Sequence, residues 1–105
     1  MGKMTNSIIE QLYLMGRKVY EQEMMMSDAV NEVMSNYGDS IAKSSAEFYI
    51  GLVKELITGK GSTWNQNSDL LVYYVGQIAL DYGAEAGYNA YQGAIKFANT
   101  KRRQP

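Results

Sequence analysis

The chain lacks both histidine and cysteine among its 105 residues. Histidine is the commonest acid/base group and metal ligand near neutral pH, and cysteine is a nucleophile and a soft metal ligand. Their absence excludes histidine-assisted triads, zinc fingers and disulfide bonds in this chain. The acidic pairs that remain carry little catalytic signal, because Glu21 and Glu23 are two positions apart and a helix turns them to different sides. We therefore predict a protein that is not an enzyme and uses no cofactor or metal.

Long apolar runs and prolines are also scarce. No run approaches the roughly 18 residues that a membrane-spanning helix needs. Asn6, Ser7 and Glu10 interrupt the apolar stretch that a signal peptide would require. The single proline and the seven methionines suit a helical core with few rigid loops. These features predict a cytoplasmic protein with no membrane partner, folded as one helical domain over residues 1–105.

Basic residues are few in the first part of the chain. Residues 1–42 contain three basic and six acidic side chains, whereas the last ten residues contain four basic side chains and no acidic one. The net charge of −1 differs from the plainly basic balance of a strong nucleic-acid binder. Any DNA contact would therefore depend on a local patch such as the basic tail at about residues 100–105. The other interpretation of this tail is a solvated, frayed terminus.

The most regular feature of the chain is apolar residues spaced by three and four positions, which is the helical period. No stretch alternates with a period of two, so we predict an all-α fold. It is a compact bundle of about five helices with a helix-turn-helix-like central unit and a C-terminal helical hairpin. The predicted apolar faces are Ile8, Leu12, Met15 and Val19; Ala29, Val30, Val33, Met34 and Tyr37; Ala46, Tyr49, Ile50, Val53, Leu56 and Ile57; Leu71, Tyr74, Val75, Ile78 and Tyr82; and Gly87, Ala90, Tyr91, Ala94, Ile95 and Ala98.

Capping residues and glycines predict where these helices begin and end. The predicted N-caps, in chain order, are Asn6 or Ser7, then Ser27, then Asp39, Ser40 or Ser44, and finally Asn67 or Ser68. The predicted stops are Gly38, Gly59 and Gly83, with a fifth helix over residues 84–99. The run Met24, Met25 and Met26 lies between the first two helices. We interpret it as core filling, the alternative being an adaptable contact patch.

The short joint at Gly38 makes the second and third helices resemble a helix-turn-helix unit. In that interpretation Lys43, Ser44 and Ser45 would be the outward residues at the start of a recognition helix. Glu47, which would also point outward, and Glu55 would reduce the positive charge of that face. The alternative is an ordinary three-helix unit with short joints.

Trp64 lies in the one sizeable loop, at residues 59–67, among polar neighbours. A tryptophan there either plugs the edge of the core or stands out as a contact anchor. We predict one contact surface made of the outward side of the third helix, this loop and the basic tail. Its candidate binding residues are Lys43, Ser44, Ser45, Lys54, Lys60, Trp64, Asn65, Lys101, Arg102 and Arg103.

Several short runs between about Leu12 and Ala98 together resemble a known family. They are Leu12-Tyr13, Gly16-Arg17-Lys18-Val19-Tyr20, Ser44-Ser45-Ala46, Tyr49-Ile50, Ile57-Thr58-Gly59, Asn67-Ser68-Asp69, Tyr73-Tyr74, Ile78 and Asp81-Tyr82-Gly83. The chain is similar in these runs to the small helical N-terminal domain of bacterial and phage HNH-type, restriction-like endonucleases. In that family the domain precedes a separate catalytic HNH domain and helps to bind target DNA or a partner.

The resemblance implies a non-enzymatic, nuclease-associated module that binds DNA or acts close to it. The catalytic HNH domain itself is absent, since the chain has no histidine. Family members tend to carry an arginine-threonine pair in the loop after the third helix, where this chain has Trp64 and Asn65. Losing that arginine weakens a phosphate-contact role and favours a protein partner. The alternative function is therefore a small phage-type protein that inhibits a host defence nuclease, as anti-restriction and anti-CRISPR proteins do. A protein-binding role also includes self-association into a homodimer.

Overall fold

The structure is a computed structural model that describes the backbone of residues 5–59 and 68–103 and the side chains of residues 5–59 and 69–94. Within those ranges the chain forms five helices and no strand, which confirms the all-α prediction. The helices are α1 (Asn6–Tyr20), α2 (Met26–Tyr37), α3 (Lys43–Ile57), α4 (Ser68–Tyr82) and α5 (Ala84–Arg103).

The chain divides into two compact units, and the boundary falls inside α3. The N-terminal unit is Met1–Lys54 and holds α1, α2 and most of α3. The C-terminal unit is Glu55–Pro105 and holds the end of α3 with α4 and α5. The prediction of a single domain stays a prediction.

The core of the N-terminal unit is built from the apolar faces that the helical period predicts. Ile8, Leu12 and Met15 of α1 are buried, and so are Ala29, Val30 and Val33 of α2. Ala46, Ile50 and Val53 of α3 are buried as well. The pattern missed Ile9, Tyr13 and Leu52, which are also buried. α1 and α3 therefore bury wider faces than predicted, whereas Met34 and Tyr37 of the predicted α2 face are only half-buried.

α1 and α3 come into close contact at Gly16. A Cβ atom at Gly16 would overlap the side chain of Val53 and lie 2.7 Å from the carbonyl oxygen of Ile50. Only glycine fits there, because a Cβ atom that close to a carbonyl oxygen would force the backbone to move. The packing of α1 on the buried face of α3 therefore depends on this glycine.

The end of α1 is a Schellman motif with an unusual residue in its left-handed position. Gln22 has a φ of 62°, a region that glycine normally occupies. Its N–H group donates to the carbonyl of Val19, and the N–H group of Glu23 donates to the carbonyl of Lys18 at 2.8 Å. These two hydrogen bonds satisfy carbonyls at the end of α1 and turn the chain towards α2.

The helix starts in this unit differ from the predicted caps. The N-cap of α1 is Thr5, whose Oγ1 accepts a 3.4 Å hydrogen bond from the N–H of Ile8, so the prediction of Asn6 or Ser7 was one residue late. The N-cap of α2 is Met25, which makes no side-chain capping bond, so the prediction of Ser27 was wrong. Asp28 does lie in the first turn of α2, where its charge favours the positive end of the helix.

The joint between α2 and α3 spans residues 38–42. Gly38 follows the last residue of α2, as predicted for a helix stop, and it is the C-cap with a right-handed φ of −58°. α3 begins at Lys43, one residue before the later of its predicted starts. The joint is thus slightly longer than the typical helix-turn-helix turn of about 3–4 residues.

In the C-terminal unit, α4 and α5 form the predicted helical hairpin around one residue. Gly83 has a φ of 101°, donates to the carbonyl of Ala79 to end α4, and accepts from the N–H of Gly87 to begin α5. A Cβ atom on Gly87 would lie 2.9 Å from the Cα of Ala79, so the helices pack almost backbone to backbone there. The buried α4 residues are Leu70, Tyr74 and Ile78, while the predicted Leu71, Val75 and Tyr82 are half-buried.

α5 is longer than the predicted helix over residues 84–99, since it continues to Arg103. Gly87 and Ala90 of its predicted small-residue face are buried, whereas Tyr91 is exposed. Ile95 and Ala98 belong to the part of α5 whose side chains the structure does not describe. The backbone at residues 100–103 is helical.

We expect Gly16→Ala to destabilise the protein by about 1–3 kcal/mol or more, because the added methyl group overpacks the α1–α3 contact. The matched control is Gly76→Ala, which places the same methyl group inside α4 with nothing within 4 Å. It should stabilise the protein by up to about 1 kcal/mol, because alanine favours the helix over glycine. Urea unfolding followed by circular dichroism measures both. Equal effects of the two substitutions would contradict the close contact at Gly16.

We expect Gln22→Gly to stabilise the protein by about 0.5–1 kcal/mol, because glycine adopts the left-handed conformation without the clash of a Cβ atom. Gln22→Val should instead destabilise it, because a β-branched residue fits that region poorly. Thermal unfolding of both variants beside the parent measures the difference. A loss of stability in Gln22→Gly would show that the glutamine side chain, rather than the backbone conformation, matters at this turn.

Candidate functional site

Four of the predicted binding residues lie on α3 within the described part of the chain. Lys43 and Ser44 are exposed in its first turn, and Lys54 is exposed near its end. Ser45 is half-buried, so it is less accessible than the prediction required. Lys43, Ser44 and Lys54 therefore stand as solvent-accessible candidates.

Lys43 and Lys54 lie on one side of α3. They are eleven positions apart, close to three full turns, so their directions differ by only about 20° and they lie about 16 Å apart along the axis. Glu47 points within about 40° of both and lies between them. Its carboxylate reduces the positive charge of this side, as the sequence predicted.

The other predicted binding residues fall outside what the structure describes in detail. Lys60, Trp64 and Asn65 lie outside the described residues altogether. Lys101, Arg102 and Arg103 occupy the last turn of α5, where the backbone but not the side chains is described. The single surface predicted from α3, the Trp64 loop and the basic tail stays a prediction.

Tyr49 lies on the inner side of α3 and is half-buried. Its ring contacts Phe48 edge to face, with the ring centres 5.2 Å apart. Burial raises the pKa of the Tyr49 phenol above its usual value of 10.0, because a phenolate loses hydration in this environment. Tyr49 is therefore uncharged at neutral pH and contributes no charge to the surface of α3.

A pocket of about 510 Å³ lies in the N-terminal unit where α1 ends and α2 begins. It is shallow and widely open to solvent. We call it the methionine pocket, because three consecutive methionines line it. Its lining residues are Val19, Gln22, Glu23, Met24, Met25, Met26 and Asp28. The volume falls within the range of about 300–1,000 Å³ that is usual for ligand sites.

The three methionines are not core residues, contrary to our interpretation of the run as core filling. Met24 and Met26 are half-buried, and Met25 is 71% exposed. The Cε atom of Met26 lies 3.8 Å from the position of a Cβ on Gly51, so Met26 leans on α3. An exposed thioether side chain is flexible and polarisable, which is typical of adaptable binding surfaces. The core-filling interpretation is therefore wrong for Met25, and the contact-patch interpretation stays a prediction.

The position of the methionine pocket follows from the local backbone. The Schellman motif at Gln22 turns the chain at the end of α1, and the extended residue Met25 then leads directly into α2. Met25 occupies the N-cap position, where serine or aspartate usually stands, and it makes no side-chain capping bond to α2. The turn therefore presents apolar side chains where a polar cap is the norm.

The surroundings of the methionine pocket are acidic. Glu23 and Asp28 line it and are exposed, and Glu32 lies one turn after Asp28 on the same side of α2. Residues 19–42 contain five acidic side chains and no basic one. Arg17, just before this stretch, lies 3.8 Å from the carboxylate of Glu21. Both signals, the methionine run and the charge run, are visible in the sequence, but only the fold brings them into one pocket.

The C-terminal unit also exposes large apolar side chains. Val72 and Leu80 project from α4 with the exposed Gly76 midway between them, and Tyr88 and Tyr91 project from α5. Within the described residues no group of three acidic side chains is placed to hold a metal ion. None of the helices in that same part of the chain is long and apolar enough to cross a membrane.

The raised pKa of Tyr49 predicts a loss of stability at high pH. Below pH 10.0, the un-ionised phenol of Tyr49 should contribute fully to the free energy of unfolding. This contribution should be lost as the pH rises through the raised pKa, because the phenol ionises first in the unfolded chain. Tyr49→Phe should reduce the pH dependence of the unfolding midpoint above pH 10.0. Urea unfolding at pH values below and above 10.0 measures this pH dependence. An unchanged pH dependence in the variant would contradict the burial of the phenol.

Comparison of the chain with protein-family models, with curated proteins and with solved structures found no match.

Proposed function

We propose that this chain is a non-enzymatic protein-binding module and that the methionine pocket is its contact surface. The observation that carries the proposal is a pocket of about 510 Å³ lined by three methionines, one of them 71% exposed. Apolar side chains that stay exposed at a concave surface are typical of binding sites, because solvent exposure is otherwise unfavourable for them. Methionine also packs against partners of varied shape.

The charge around the pocket favours a protein over a nucleic acid as its partner. Glu23 and Asp28 would repel phosphate groups, and nucleic-acid affinity depends mostly on phosphate contacts with lysine and arginine. Carboxylates beside an apolar pocket instead complement a basic protein surface. A nucleic-acid-binding groove on another protein is such a surface.

The class of partner that we propose is a nuclease or another nucleic-acid-processing protein. The support is the resemblance of the runs between Leu12 and Ala98 to the N-terminal domain of HNH-type endonucleases. Such a partner carries a basic groove, and an acidic module that occupies it would block access of the nucleic acid. Inhibition of a defence nuclease, as anti-restriction and anti-CRISPR proteins achieve it, is the form of this function that fits an acidic module.

A second candidate function is direct binding of DNA through α3. The observation in its favour is that Lys43 and Lys54 lie on one side of this helix about three turns apart, with Ser44 exposed beside Lys43. Such a spacing suits contacts to phosphates along a duplex backbone. Glu47 between the two lysines and the net charge of −1 weigh against it.

A salt titration separates the two functions. If α3 binds DNA, affinity for duplex DNA at about 50 mM salt should fall steeply with added salt, and Lys43→Ala should lower the log–log slope by about one unit. If the chain is a protein-binding module, we expect no measurable affinity for duplex or single-stranded DNA under the same conditions. Tight, salt-sensitive DNA binding that Lys43→Ala weakens would overturn the protein-binding proposal.

A crosslinking experiment identifies the partner directly. A benzophenone amino acid at position 25 should crosslink to one protein in an extract of the source cells, and mass spectrometry should identify it as a nuclease or nucleic-acid-processing protein. Position 80 is the matched control, because Leu80 is 78% exposed and lies outside the methionine pocket. Crosslinking of the same protein from both positions would count against a site at the methionine pocket.

A further inference from the structure

We propose that the methionine pocket binds a basic amphipathic helix of a partner protein. One apolar side chain of that helix enters the pocket, and flanking lysines or arginines meet the surrounding carboxylates. The inference rests on the proposed function and specifies the chemistry of the partner segment. It follows from the lining of the pocket, from the charge around it and from the direction of the two helices beside it.

The lining suits one apolar anchor. Val19 and the three methionines supply apolar surface, and the pocket volume of about 510 Å³ exceeds what a leucine or phenylalanine side chain needs. Met25, with 71% of its surface exposed, is free to fold over an entering side chain. An unbranched thioether side chain has three rotatable bonds, so it adapts to the shape of that anchor.

The charge selects a basic partner. The lining contains Glu23 and Asp28 and no basic side chain. A lysine or arginine next to the anchor would reach these carboxylates at the rim, where opposite charges raise the association rate and fix orientation. An acidic segment would meet Glu23 and Asp28 at the pocket and Glu32 one turn further along α2, and repulsion would exclude it.

A partner helix that continues beyond the pocket would run beside α1 and α2. Val19 of α1 and Asp28 of α2 both line the pocket. Gln11 lies eight positions before Val19, and Asn36 lies eight positions after Asp28. The Nδ2 group of Asn36 donates to the Oε1 atom of Gln11 at 3.2 Å. α1 and α2 are therefore antiparallel, and the seam between them runs about 12 Å from the pocket to this hydrogen bond. Glu32 lies midway along that distance on α2. A helix of about two to three turns therefore matches this length.

Fluorescence anisotropy with three labelled peptides tests the proposal on the purified full chain. The first peptide is a helix of about three turns with leucines at a spacing of three and four and lysines elsewhere. The second replaces its lysines with glutamates, and the third replaces its leucines with serines. We expect the lysine–leucine peptide to bind at least about tenfold more tightly than either of the others, because only it carries both the anchor and the charge.

Variants of the chain locate the binding. Met25→Ser should weaken binding of the lysine–leucine peptide about tenfold, and the double change Glu23→Gln and Asp28→Asn should weaken it and flatten its salt dependence. The matched controls are Leu80→Ser for the exposed apolar side chain, and Asp69→Asn with Glu85→Gln for the two lost charges, since both acidic residues are exposed and neither lines the pocket. The controls should leave the affinity unchanged, and circular dichroism confirms that each variant is folded.

The outcomes separate this inference from the proposed function. Equal affinity for the lysine and glutamate peptides, equal loss in pocket and control variants, or no binding of the lysine–leucine peptide would each overturn the inference. A nuclease crosslinked at position 25 through an acidic or uncharged segment would keep the proposed function and reject a basic partner helix. Selective peptide binding without any protein crosslinked at position 25 would reject the proposed function and keep the chemistry of the pocket.

Discussion

Close approach of helix backbones at glycine shapes both units of this protein. In the N-terminal unit, Gly16 lets α1 approach the carbonyl oxygen of Ile50 on α3. In the C-terminal unit, Gly87 lets α5 approach Ala79 of α4 in the same way. Interiors of proteins are packed to crystal-like density, so a contact of this kind sets the separation of two helices at the point of contact. Larger residues such as Leu12 and Tyr74 are fully buried in the two units.

The methionine pocket depends on this packing in turn. α1 is held against α3 at Gly16, and Met26 at the start of α2 leans on Gly51 of the same helix. The turn between α1 and α2 is therefore supported from both ends, which keeps its shape without a capping side chain. A binding surface built on a supported turn loses less conformational entropy when a partner binds. The exposed Met25 supplies the adaptable part of an otherwise fixed site.

Much of the fold could be predicted from apolar spacing, because burial of one face gives each helix its stability. Ile8, Leu12 and Met15 are buried as their spacing predicts. Helix starts were less predictable: Ser27 is a good capping residue, but the Schellman turn at Gln22 brings Met25 to the capping position instead. The exposure of the methionine run was not predicted either, because a run of apolar residues is usually buried. Only the tertiary arrangement shows that Met25 has no core to enter. The lysines of α3, by contrast, were predicted to be exposed from their position off the apolar stripe.

The one-residue joint at Gly83 has a kinetic consequence. Ala79 and Gly87 meet across a chain segment of eight positions, so the entropy cost of closing this loop is small. Loops of about 10 residues close in roughly 10–100 ns, far faster than distant parts of a chain find each other. The α4–α5 hairpin can therefore form early in folding, before contacts of long sequence separation are made. The N-terminal unit differs, because Gly16 and Val53 are far apart in the sequence and must meet through a much longer loop.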